Sequence, residues 1–245
     1  MKKIIYTALI SASFSSLVNA SGGIYTSVKA GISDTKYKNS EDAYYYGRED
    51  SKTAFLNNNL TKSIYPTISA AIGYDFSAIS PVNVRAELEY TYKDKTNFQP
   101  TVGSVLDYMP GQSPQVVDNG GFESDYQNSL QSQSLMLNAY YDFRNTSKFT
   151  PYVSAGAGVT HVKNKQTVTY DNSTTSDSDN HFTWSAGAGI AYAVSQNVAL
   201  DLSYKYVDAG KYEFNYPTRS NMITNNRTNV KLASNEYLLG VRYNF

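Results

Sequence analysis

The 245-residue chain has no cysteine, which removes disulfide scaffolds and thiolate metal sites from consideration. It has no surplus of either charge, with 21 Lys and Arg against 21 Asp and Glu. It therefore lacks the basic excess that marks nucleic-acid binders. Long apolar runs are missing too. Mean hydropathy is −0.45, whereas each span of a helical membrane bundle needs about 20 mostly apolar residues. What the chain does have is tyrosine: 23 Tyr, with 10 Phe and 1 Trp. Disordered chains carry few aromatics, so an ordered, tyrosine-rich and β-rich protein is expected.

The first twenty residues read as a secretory signal peptide. Lys2 and Lys3 form a basic start, Ile4 to Val18 a short and mostly apolar stretch, and Val18-Asn19-Ala20 a cleavage site. Cleavage there leaves 21–245 and removes two lysines and no acid, so the exported part is slightly acidic. The apolar stretch is too short and too polar for an anchor.

Residues 21–245 alternate in polarity with period two, as strands do when their two faces meet different surroundings. The last eleven residues show it best: Tyr237, Leu239, Val241, Tyr243 and Phe245 share one face, and Glu236, Leu238, Gly240, Arg242 and Asn244 the other. The same pattern places apolar faces on Ile24–Ile32, Ile64–Phe76, Val82–Tyr92, Leu135–Phe143, Phe149–Val159, Phe182–Val194 and Val198–Tyr206. Eight strands result. Short connections (77–81, 144–148, 195–197) alternate with long ones at 34–63, 94–129, 163–180 and 209–230, of 30, 36, 18 and 22 residues. That arrangement predicts an all-β fold: an eight-stranded antiparallel up-and-down transmembrane β-barrel in the outer membrane of a Gram-negative bacterium, loops outside and termini in the periplasm.

A water-soluble barrel or sandwich would bury its apolar face. Here the second face carries Lys29, Arg85, Lys205 and Arg242 with Asp75, Glu87, Glu89, Asp142, Asp201 and Glu236, too many charges for an apolar interior. As a lumen facing itself, that face pairs them. Aromatics at strand ends, such as Tyr74, Phe76, Tyr90, Tyr92, Tyr141, Phe143, Tyr204, Tyr206 and Tyr243, mark two interfacial girdles.

Phe245, preceded by aromatic or aliphatic residues at alternate positions, resembles the C-terminal signature of outer-membrane proteins. The stretches PYVSAGAGVTHVK (151–163), WSAGAGIAYAV (184–194) and NVALDLSYKYVDAGK (197–211) resemble the opacity/OmpA-like family of eight-stranded barrels. Within it the chain looks most like the heat-resistant agglutinin, Tia and Hek group. That resemblance implies a surface adhesin and invasin, a host-cell surface glycan or protein as partner, and sulfated glycans as receptors for some members. It also implies insertion by the barrel assembly machinery through Phe245 and contact with outer-membrane lipids and lipopolysaccharide. A monomer is expected, with no nucleic acid, no cofactor and no metal. No repeat, second domain or soluble extension after Phe245 is expected either.

Three function classes compete. As a pore, eight strands leave an interior just wide enough for side chains, so paired charges should plug it; Gly156, Gly158, Gly187 and Gly189 face inward and leave room for Tyr and Arg opposite. An enzyme needs convergent groups. The two histidines, His161 and His181, are brought near each other by the hairpin, but Asp177 and Asp179 fall in the polar run 172–180, which reads as loop. The expectation is no catalysis.

The third class is adhesion through the loops, which make up nearly half of 21–245. Tyr44, Tyr45 and Tyr46 are either contact anchors or loop-packing residues. The second loop is acidic, with Lys95 alone against five acids, and the fourth is basic through Lys211, Arg219 and Arg227. A polyanion is therefore expected at Lys211, Arg219 and Arg227 and at the first-loop bases Lys36, Lys38, Arg48, Lys52 and Lys62. The runner-up is a small opacity-type porin or structural protein without a dedicated ligand.

Overall fold

The computed structural model describes residues 23–40, 52–56, 60–98, 101–108, 115–123, 126–168, 172, 174–215 and 227–245. In chain order they form β1 (Ile24–Ser40), β2 (Lys52–Leu56), β3 (Leu60–Asp75), β4 (Val84–Phe98), β5 (Thr101–Tyr108), β6 (Gln115–Glu123), β7 (Tyr126–Asp142), β8 (Phe149–Val168), β9 (Thr174–Ala193), β10 (Val198–Asn215) and β11 (Arg227–Asn244). Eight of these close a barrel in the order β1-β11-β10-β9-β8-β7-β4-β3, and β2-β5-β6 make a separate small sheet. Closure is by β1 against β11, in register from Tyr25↔Asn244 to Ser40↔Asn229. The Phe245 amide completes the seam on the Ile24 carbonyl at 3.0 Å.

The alternation expected from the sequence is the one observed. Val28, Ile68, Leu88, Leu137, Val153, Ile190, Leu202 and Leu239 all face outward and are exposed. An exposed apolar band of this kind is stable only against lipid. Their strand neighbours Lys29, Ser69, Glu87, Glu89, Asn138, Asp201 and Glu236 are buried in the lumen. Two aromatic bands bound the apolar one. At the short-turn end lie the ring pairs Tyr74–Phe76, Tyr141–Phe143, Phe149–Tyr192 and Tyr243–Phe245, with centroids 4.9–5.2 Å apart. Towards the long connections lie Trp184–Tyr206 and Tyr204–Tyr237, at 5.5 and 5.4 Å.

The short turns are held by side chains that stand in for missing ladder partners. Asp75 accepts from the Ser77 amide at 3.0 Å and Asn145 from Ser147 at 2.8 Å. Ser195 Oγ accepts from Val198 at 3.1 Å.

At the other end the strands run further than the sequence pattern did. β8 and β9 stay paired up to Thr167↔Thr174, so Asp177 and Asp179 sit on a strand, not in a loop. The spans 34–63 and 94–129 also contain β2, β5 and β6. Two ladders shift register on the way, between Lys93 and Thr96 in β4 and between Asp208 and Lys211 in β10. The second bulge contains Gly210 at φ 82°, a left-handed conformation that glycine adopts without steric cost. It exchanges the faces of the strand, so that Tyr212 points inward and is buried.

Candidate functional site: a filled lumen and its outer rim

The lumen charges meet in two connected groups. In the first, Lys29 Nζ lies 3.1 Å from Glu87 and 3.4 Å from Glu89. Lys205 pairs with Glu89 and stands 3.6 Å from Glu236. Lys93 closes the chain on Glu236 at 2.7 Å. Lys93 thus joins the four cations expected from the sequence. Tyr140 donates its hydroxyl to Glu87 at 2.9 Å and accepts from Lys29 at 3.3 Å.

In the second group, Arg85 forms a two-pronged pair with Asp142 and donates to the Tyr25 hydroxyl at 3.3 Å. Its guanidinium lies over the Tyr140 ring, 4.5 Å from the centroid. Asp201 is met by the Tyr152 hydroxyl at 2.7 Å. Two members of the expected list stand apart. Asp75 lies at the short-turn rim, where Arg144 reaches it at 2.5 Å. Arg242 stacks over Tyr25 at 5.5 Å, beside a vestibule of about 420 Å³ that opens at the same rim.

Above the ions is a layer that sequence reasoning missed. Tyr65, Leu130, Val162, Ala209, Tyr212 and Leu232 pack together inside the barrel. A chain of hydroxyls sits beneath it: Thr183 donates to Thr160 at 2.6 Å, and Thr160 lies 2.8 Å from Ser134. The cavities within these layers are about 10 Å³ each, room for one water at most. An ionic layer under an apolar cap thus fills this section of the barrel with side chains.

The histidines do not converge. Strand pairing sets Thr160 opposite His181 and His161 opposite Asn180, and paired residues share a face. His181 therefore points inward and His161 outward. His161 Nδ1 lies 2.9 Å from the Asn180 side-chain oxygen. His181 donates Nε2–H to Asp179 at 2.6 Å and rests against the Tyr212 ring at 4.3 Å. That hydrogen bond holds the Asp179 carboxyl below the usual carboxylate range. Among the described residues no group of three His, Asp or Glu is arranged to hold a metal.

Of the expected receptor contacts, Tyr44, Tyr45, Tyr46 and Arg219 lie outside the described residues. Arg227 opens β11, described there by its backbone. Lys211 is exposed on β10 just after the bulge, in register with Lys231 of β11. Lys231 is paired with Asp208 at 3.2 Å.

The comparisons with known proteins agree with this architecture. The chain is 32% identical to the outer membrane protein PagN of Salmonella typhimurium over 95% of its own length and 94% of that protein's. It is 24% identical to the opacity protein opA67 of Neisseria gonorrhoeae over 78% of this chain and 82% of the other. Among solved structures, Neisserial surface protein A superposes with a TM-score of 0.50 at 17% identity, covering 91% of this chain and 97% of that one; that likeness concerns the fold alone. The resemblance read from 151–163, 184–194 and 197–211 is therefore borne out. The short turns face the periplasm and the long connections the exterior of a Gram-negative cell. Residues 4–245 match the family described as the outer membrane protein beta-barrel domain, and the chain belongs to that family.

Proposed function

We propose that this barrel is a surface adhesin of the agglutinin and invasin type, with its binding carried by the extracellular segments. The observation that carries this reading is the filled lumen. Ion pairs and an apolar cap occupy the section of the barrel, so the part of the molecule left to meet a partner is the outside. The similarity to PagN over nearly the whole chain and to the opacity proteins supports placing it among outer-membrane barrels of that kind. Segments that long on a rigid scaffold are where recognition is built.

The partner proposed is a host-cell surface glycan or protein. An anionic glycan would meet the basic fourth segment around Lys211, Arg219 and Arg227, and the acidic second segment would repel it at low salt. The test is cell adhesion and agglutination by a non-adherent strain expressing the full chain, beside versions with each long segment cut to a tight turn. Equal surface levels and a heat-modifiable gel shift would verify that each barrel is folded. Adhesion that survives removal of all four segments, or is absent with the full chain, overturns the reading.

A further inference from the structure

We propose that the outward wall of β7, β8 and β9 is a seat for a phosphate-bearing lipid of the outer leaflet, with Lys163 and Lys165 holding its anionic groups. Strand pairing sorts this wall into rows of three. The uppermost apolar row is Leu135↔Val159↔Phe182, with the three side chains 53%, 50% and 68% exposed. The next outward row is Gln133↔His161↔Asn180, then Gln131↔Lys163↔Ser178, then Ser129↔Lys165↔Ser176. The wall thus changes within one row from side chains suited to acyl chains to amides, hydroxyls and ammonium groups.

Depth and charge both favour a lipid. Lys163 is two rows above Val159, about 13 Å along the strand and roughly 10 Å in height at the usual tilt. Its apolar stem can bend back towards the band while the ammonium stays at headgroup level. Lys163 and Lys165 stand on one face about 7 Å apart along the strand, both exposed. Neither has a hydrogen-bond or ion-pair partner among the described residues.

The rows they occupy contain no carboxylate. Asp177 and Asp179 belong to the same strand, but their register partners Asn164 and Val162 are buried inside the barrel. On β10 and β11 the outward Lys231 is neutralised by Asp208, and on β4 the outward Asp94 accepts from Tyr92. On β7, β8 and β9 two lysines without a partner among the described residues, hydrogen-bonding flanks and an exposed apolar row beneath them come together. A lipid whose chains lie over Leu135, Val159 and Phe182 would bring its headgroup phosphates to both lysines.

The test uses the folded full-length barrel in phosphatidylcholine nanodiscs doped with lipopolysaccharide, either intact or dephosphorylated, and reads lipid retention by native mass spectrometry. Wild type should retain the intact form roughly thirtyfold better than K163Q/K165Q. That preference should vanish with the dephosphorylated form. K163R/K165R should keep it, and K148Q, which removes a lysine at the periplasmic turn, should not change it. Equal retention by wild type and K163Q/K165Q, or equal retention of the two lipid forms, overturns the proposal. So does displacement of the lipid by millimolar inorganic phosphate, which would mark a free-anion site. If K163Q/K165Q loses heparin binding while keeping the lipid, the wall is a glycan face and the proposal fails.

Discussion

Arg85 grips Asp142 of the adjacent strand with two hydrogen bonds, Nε to Oδ2 at 2.7 Å and Nη2 to Oδ1 at 2.9 Å. Both side chains are almost inaccessible. Breaking such a pair strands one charge in a low-dielectric lumen, which costs far more than the pair itself contributes. Asp142→Asn should therefore destabilise the barrel by about 3–5 kcal/mol. Replacing both partners, as in R85M/D142L, should recover most of the loss, because no uncompensated charge remains. Urea unfolding in lipid vesicles, followed through the fluorescence of the lone, outward-facing Trp184, reads both values. A double variant no more stable than Asp142→Asn would show that Arg85 is stabilised by something other than this carboxylate.

The faces of the eight membrane strands were legible in the sequence because lipid and lumen make opposite demands on alternate residues. Above the outer girdle that contrast turns over. Outside are now polar headgroups and water, and the apolar residues move inward: Val162 beneath Lys163, Leu130 beside Gln131, Leu232 beside Lys231. A reading that follows one greasy face across the changeover sees the alternation cancel and ends the strand there. The bulges in β4 and β10 hide the rest, since the register shift at Gly210 puts Tyr212 on the face opposite to the one that counting from Tyr206 assigns. The cap was still visible in principle, as an inverted alternation of Val162-Lys163 and Lys231-Leu232 flanking polar runs. The pairing partners of the lumen ions were not, because nearest neighbours such as Lys205 and Glu89 are 116 residues apart and come together only when the barrel closes.

Gly189 gives the lumen-facing Tyr152 room. A methyl group placed on it would overlap the ring of Tyr152, the residue that donates to Asp201. Of the four inward glycines on β8 and β9, this is the one that makes room for a tyrosine, as Gly73 on β3 does for Tyr25; Gly156 instead clears the Asn138 side chain, and Gly158 and Gly187 lie against neighbouring backbone. Gly189→Ala should cost about 1–3 kcal/mol by overpacking and displace the Tyr152 hydroxyl from Asp201. Adding Tyr152→Leu in the same chain should relieve the overlap and restore part of the stability. If Gly189→Ala unfolds at the wild-type urea concentration, Tyr152 does not press on this position.

The two closing layers make separate predictions for ion flow. Wild type in planar bilayers should give no large, stable single-channel steps. Trimming the cap alone, with Val162→Ala, Tyr212→Ala and Leu232→Ala, should leave it silent, since Lys29, Glu89, Lys205, Glu236 and Lys93 still bridge the lumen below. Conductance should appear only when the ionic layer is also thinned, for instance by Lys205→Ser with Glu89→Ser. Stable steps in the wild-type trace would place a continuous path where the structure has side chains.

The extracellular charge asymmetry can be tested without knowing the receptor. Residues 94–129 carry five acids against one lysine, whereas 209–230 carry Lys211, Arg219 and Arg227 against Glu213. Exposed charges act mainly through long-range attraction, which salt screens over about 8–10 Å. Reversing Arg219 and Arg227 to glutamate should weaken heparin binding about tenfold at low ionic strength, with the gap shrinking as salt rises. Neutralising Asp107 and Asp118 in the acidic segment should strengthen binding slightly instead, by removing repulsion. Surface plasmon resonance on folded barrels in nanodiscs, over a salt series, separates the two effects. Equal losses from both segments would mean that the glycan spans the whole crown of loops, and the placement on 209–230 would be wrong.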